Sequence, residues 1–144
     1  MLIDNPLNSE LAFPILECFH IVGFAIAIGS IALVDFRLLG FGLRRQNPAD
    51  LIKETGLWVV ISLLTSIFAG LLLYSTDPDK YYLNPFFVAK IICLVLAIVF
   101  NYTLHRKVVS PGTSQGTGIL VACISLALWV SVIAGGMLIS FIAI

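Results

Sequence analysis

The sequence predicts an all-α fold, a four-helix transmembrane bundle with both termini on the non-cytoplasmic side. Three observations carry that expectation. Four apolar runs, residues 11–34, 57–74, 85–104 and 118–144, fill most of the chain, and each is about as long as the ~20 residues a helix needs to cross a bilayer. The chain is 60% apolar and 11% charged, with mean hydropathy +1.07, where a soluble domain carries ~25% charged residues. Six of the eight Lys and Arg residues (Arg37, Arg44, Arg45, Lys53, Arg106 and Lys107) fall in or beside the connections after the first and third runs. The positive-inside rule assigns those connections to the cytoplasm and the termini to the other side.

In chain order, residues 1–10 form a polar lead-in with an Asn5-Pro6 turn signal. This lead-in lacks basic residues and enters a run too long for a leader's apolar core, so no signal peptide is expected. The first helix is expected to overrun the bilayer, because residues 34–45 stay helix-compatible to about Arg45. Asn47-Pro48 reads as an N-cap with Pro at the first helical position, and a short amphipathic turn, residues 49–55, then leads into the second helix. Residues 75–78 end that helix, Asn84-Pro85 repeats the cap-and-Pro signal for the third, and residues 110–118 form a Gly/Ser/Thr loop before the fourth. Trp58, Tyr74, Tyr81 and Tyr82 fall where amphipathic rings anchor helices at interfaces. No internal repeat joins the halves, and residues 1–144 make one domain.

All four helices carry small residues four apart: Gly23 and Ala27, Ala25 and Gly29, then Ser62, Ser66 and Gly70. The third helix has Ala89, Cys93 and Ala97, a row that continues to Asn101 and His105; the fourth has Cys123, Ala127, Ser131 and Gly135. Such rows allow close helix packing. They also suit a flat cofactor between helices, and the sequence leaves both readings open.

Polar residues within the runs sort by depth into two tiers. Glu17, His20, Lys90 and Met137 form an outer tier; Asp35, Arg37, Asn101, His105, Arg106 and Lys107 form an inner one. His20 lies ~13 Å into helix 1 at 1.5 Å per residue, and His105 lies roughly 15 Å deeper, near the inner boundary. One haem is therefore not expected to take both as axial ligands within one chain. An imidazole inside lipid must satisfy two nitrogens or bind a metal, so His20 reads either as a haem ligand or as a histidine bonded to Glu17 or to another helix. His105 can reach water at the interface. Glu17 and Lys90 can pair across helices, and Asp35 with Arg37 or Arg106 reads as an interface cluster. Zero net charge gives nucleic acid no electrostatic footing. No phosphate loop, Ser/His/Asp set or Cys/His metal spacing occurs, and Cys18, Cys93 and Cys123 read as apolar-run thiols.

Residues 20–40 (HIVGFAIAIGSIALVDFRLLG) and 84–101 (NPFFVAKIICLVLAIVFN), with a late His beyond them, resemble a family of small uncharacterised bacterial four-helix membrane proteins. Its members share a His near the start of helix 1 and a D-x-R-L-L-G near its end, here His20 and Asp35 to Gly40. Asn84-Pro85, Lys90 and Asn101 also fit. More distantly, the chain looks like four-helix b-type cytochromes and the membrane part of copper-resistance proteins. It departs from di-haem cytochromes, which use four histidines.

These readings converge on an expectation: a bacterial inner-membrane protein that binds haem b and transfers electrons. His20 is the leading iron ligand and His105 the second candidate. Met137 is a further axial candidate, and Lys90, Arg37 and Arg106 are propionate partners. A homodimer would set His20 opposite His20, and a redox protein or quinone would be its partner. The alternatives are a non-catalytic scaffold subunit and a small-solute or metal-ion carrier.

Overall fold

The computed structural model describes residues 10–110 and 112–142. Among those residues the regular secondary structure is all helical, with no strand. Four helices are long and apolar enough to span a membrane: α1 (Ala12–Leu39), α2 (Pro48–Thr76), α4 (Pro85–Val108) and α5 (Gln115–Phe141). A five-residue helix, α3 (Pro78–Tyr82), links α2 to α4. The expected four-helix bundle is thus the observed architecture.

Helix boundaries obey local chemistry. Gly40, at φ 85°, closes α1 in the left-handed region, where glycine escapes the Cβ penalty. Its N–H donates to Arg37 O at 3.1 Å, and Phe41 N–H donates to Phe36 O at 2.9 Å. This cap corrects the expected overrun to Arg45. Asn47 accepts from Ala49 N–H at 3.1 Å and starts α2 with Pro48 at its first position. Residues 49–55 are therefore the first turns of a continuous α2, not a separate lead-in. Asn84 accepts from Phe86 N–H at 2.9 Å and starts α4 in the same way. Asp77 caps α3, a short helix where the sequence signals only the end of α2. Ser114 caps α5, so the last residues of the expected 110–118 loop are already helical.

α1 packs along α2 and α5, and α5 packs along α4, whereas α2 and α4 scarcely touch. The order around the bundle is α2, α1, α5, α4, with a loose seam between the outer pair. Both described chain ends lie at one end of the bundle. There Asn84 Nδ2 donates to Ile142 O, and Tyr74, Tyr81 and Phe87 form an aromatic trio with centroids 5.6–6.2 Å apart. We call this the aromatic end. The opposite, basic end carries Arg37, Arg44, Arg45, Lys53, Arg106 and Lys107. Between the ends, Ala27, Ile31, Val59, Leu63, Ala97 and Trp129 form a buried apolar layer.

Several positions in the small-residue rows are filled from within the protein. A Cβ on Gly23 would lie 2.8 Å from Ser62 O, so α1 and α2 meet backbone to backbone there. Gly70 makes room for the His20 ring, and Gly135 and Gly136 make room for the Lys90 side chain. Ala25 and Gly29 of α1 and Cys123, Ala127 and Ser131 of α5 instead face outward.

Candidate functional site

Two polar clusters interrupt the apolar interior, one toward each end. At the basic end three helices each contribute one side chain. Asp35, in the last turns of α1, is fully buried. Its Oδ1 accepts from His105 Nε2 at 2.6 Å, and its Oδ2 accepts from Ser125 Oγ of α5 at 2.8 Å. Both carboxylate oxygens are thus satisfied by side chains. That is what keeps a carboxylate tolerable in a low-dielectric interior.

His105 reaches Asp35 because α4 is not regular there. Residues Asn101–His105 form a single π-helical turn. Such a turn takes up about one extra residue and re-aims the residues beyond it by roughly 100° relative to an unbroken α-helix. Asn101 and His105 both end up facing inward, 7% and 2% exposed. The expectation that His105 sits solvated at the interface is corrected: it is buried and paired. The expected Asp35–arginine cluster is corrected too. Arg37 Nε donates to Gln46 O at 2.7 Å, and the Arg106 guanidinium lies 4.6 Å from the Tyr102 ring centroid.

Toward the aromatic end, His20 of α1 lies against α2. Its Nδ1 is 2.7 Å from Ser66 O, which can only accept, so Nδ1 carries the proton. Ser66 Oγ in turn donates to His20 O at 2.8 Å. In the neutral ring Nε2 is then an acceptor, and Lys90 Nζ of α4 faces it at 3.4 Å. Phe24 stacks on the ring and meets Trp129 edge-on, closing the cluster off from the apolar layer. Glu17 is exposed, and the one side-chain ion pair found among the described residues is His105–Asp35. The expected Glu17–Lys90 and Glu17–His20 pairings are therefore replaced by Lys90–His20 and Ser66–His20. Just outside the membrane segments, burial and then the Glu17 and Asp77 carboxylates push the Tyr81 hydroxyl above the usual tyrosine range. It stays a neutral donor.

The two clusters share one register. Lys90 meets His20 and His105 meets Asp35, so parallel helices α1 and α4 are offset by the same 70 positions at both sites. Fifteen residues separate the clusters on each helix, or ~22 Å at 1.5 Å per residue. This exceeds the ~15 Å expected from sequence and keeps His20 and His105 from sharing one haem within a chain.

The residues of one chain do not fit haem in this arrangement. His105 directs Nε2 to Asp35, and the cleft beside it has only about 20 Å³ of room. His20 has the Nδ1–H-to-carbonyl bond that orients many metal-bound imidazoles, but its Nε2 faces the Lys90 ammonium. Met137 is 58% exposed on the outer face of the bundle, far from an inward axial position. Among the described residues no three His, Cys, Asp or Glu side chains gather as a metal-binding group. Cys18, Cys93 and Cys123 are free thiols.

The role of Ser125 is not legible in the sequence, since a serine in an apolar run looks like packing. Ser66 and Gly70 stand out there, but as packing residues rather than as the seat of His20. The chain belongs to DUF6644, a family of unknown function, whose profile matches residues 12–142. Comparison with curated proteins and with solved structures gives no match.

Proposed function

We propose that the chain is a proton-coupled membrane carrier unit, in which the Asp35–His105–Ser125 set takes up and releases a proton. The observation that carries this reading is the buried carboxylate–imidazole pair joining three helices inside the bundle. Ionisable side chains within membrane helices are costly and mark proton or substrate paths by default. An acid–base pair at the basic end, a Lys–His pair toward the aromatic end and an apolar layer between them suit a protein that handles protons at two depths without an open channel. The test is solid-supported membrane electrophysiology on proteoliposomes. An acidifying pH jump should displace charge in wild type and not in Asp35→Asn. A wild-type response equal to that of empty vesicles sinks the proposal.

A second reading, electron transfer through haem b, is favoured by one feature: the Nδ1–H-to-carbonyl bond of His20 leaves Nε2 as the lone-pair nitrogen. It needs Lys90 to leave that nitrogen and His20 of a second copy as the other ligand. A Soret band on purified protein, lost in His20→Ala and kept in His105→Ala, together with a dimer in native mass spectrometry, is its expected outcome. Equal haem content in wild type and His20→Ala rules out His20 as the ligand.

For topology, we place the chain in a bacterial inner membrane with the basic end in the cytoplasm, on the strength of its six basic residues there. In a cysteine-free background, Lys80→Cys should label from outside intact cells and Ser114→Cys only after permeabilisation. The reverse pattern inverts the orientation.

A further inference from the structure

The seam between α2 and α4 is not closed at the basic end. A cleft with about 20 Å³ of room lies there, lined by Thr55 and Gly56 of α2 and by Asn101, His105 and Arg106 of α4. That volume suits a single water. Asn101 is 7% exposed, and its side-chain amide has no hydrogen-bond partner among the described residues. His105 is 2% exposed and directs Nε2 to Asp35, which leaves Nδ1 without a protein partner. Yet no sealed side-chain nitrogen or oxygen among the described residues lacks a partner. The unpaired Asn101 and His105 atoms are therefore not walled off, and the space they line is the cleft. Their chemistry is complementary: with Nε2–H donating, Nδ1 is an acceptor, and the amide offers both a donor and an acceptor. An apolar void of this size stays dry, whereas a polar one with two or more partners holds water. Both residues stand on one wall because positions four apart share a helix face.

We propose that the cleft is a water-binding site that joins His105 to the aqueous phase at the basic end. The role given to it rests on the proton-handling reading; its existence does not. A water-borne proton adds to Nδ1 as the Nε2 proton passes to Asp35 Oδ1. One hydronium and one carboxylate become water and a carboxylic acid, and the ring changes from its Nε2–H to its Nδ1–H tautomer. Release reverses these steps. The charged groups facing the ring are Asp35 from α1 and Arg106 from α4. α5 contributes the Ser125 hydroxyl, and the α2 residues at the cleft carry no charge.

The test is water-edited solid-state NMR of the full chain in liposomes, with 15N-labelled His and Trp. The chain has two histidines, so the ring signals are assigned with one variant, His20→Gln. His105 should receive magnetisation from water several-fold faster than the buried Trp129 indole. Gly56→Leu should slow that transfer several-fold and leave His20 unchanged; a Cβ at Gly56 meets nothing within 4 Å, so the added side chain has space to enter. Transfer to His105 as slow as to Trp129 in wild type overturns the inference, as does an unchanged rate in a folded Gly56→Leu protein. Fast transfer without charge displacement after a pH jump would uphold the water site and sink the carrier reading alone.

Discussion

Asp35→Ala should lower the stability of the bundle by about 1–3 kcal/mol, whereas Asp35→Asn should leave it within about 1 kcal/mol of wild type. Removing the carboxylate strands the His105 Nε2–H and the Ser125 hydroxyl, both buried and both bonded to Asp35. In a soluble protein, breaking such a buried pair costs about 3–5 kcal/mol. Within a membrane the unfolded reference finds other partners, and single side-chain bonds are worth about 0.6–1.7 kcal/mol. Two lost bonds set the smaller figure. Asparagine keeps an oxygen for His105 and places its amide against the Ser125 oxygen, so the hydrogen bonds survive while the charge and the proton-accepting site go. Unfolding in mixed detergent micelles, monitored by tryptophan fluorescence, measures both variants. If Asn destabilises as much as Ala, the negative charge holds the three helices, and the side-chain bonds do not.

The architecture is legible in the sequence because lipid imposes a simple rule: a spanning segment must be a long apolar helix, and each cap-and-Pro signal marks a start. Asn47-Pro48 and Asn84-Pro85 begin α2 and α4 as expected. The end of α1 is misplaced by sequence because Phe41 and Leu43 look helix-compatible, while the signal that decides is Gly40 in the left-handed region. Within the sites, depth is readable and partnership is not. Asp35 and His105 fall in one tier, as do His20 and Lys90, and each pair does meet. Yet a regular helix is the natural expectation through Asn101–His105, and nothing in residues 101–105 announces a π turn. By depth alone His105 reads as reaching water at the inner boundary, and the nearest arginines look like the partners of Asp35. Coulombic intuition then favours Arg37 and Arg106, which bind a loop carbonyl and a tyrosine ring instead. Ser125 acts through its hydroxyl, and Ser66 through its hydroxyl and its carbonyl oxygen, on helices whose composition gives no hint of it.

Two glycines six residues apart on α1 should respond differently to the same substitution. At Gly23 a new Cβ would sit 2.8 Å from Ser62 O, 3.1 Å from Ser66 N and 3.2 Å from Ser66 Cβ. Two of those atoms are backbone, so relief requires α1 to move away from α2. That movement also stretches the His20–Ser66 bonds at 2.7 and 2.8 Å, and with them the position of His20 against Lys90. Overpacking of this kind costs about 1–3 kcal/mol, so Gly23→Ala should destabilise by that amount and Gly23→Leu by more. At Gly29 a Cβ meets nothing within 4 Å, and the residue faces outward. Gly29→Ala should be neutral for the bundle, because no neighbour opposes it and alanine is the better helix former. The pair also probes assembly. If the outward Ala25–Gly29 row is where two copies meet, Gly29→Ala will weaken the dimer in native mass spectrometry while leaving the unfolding midpoint of the monomer unchanged. Equal destabilisation of the monomer by both substitutions would show that the close α1–α2 contact at Gly23 is not what holds these helices together.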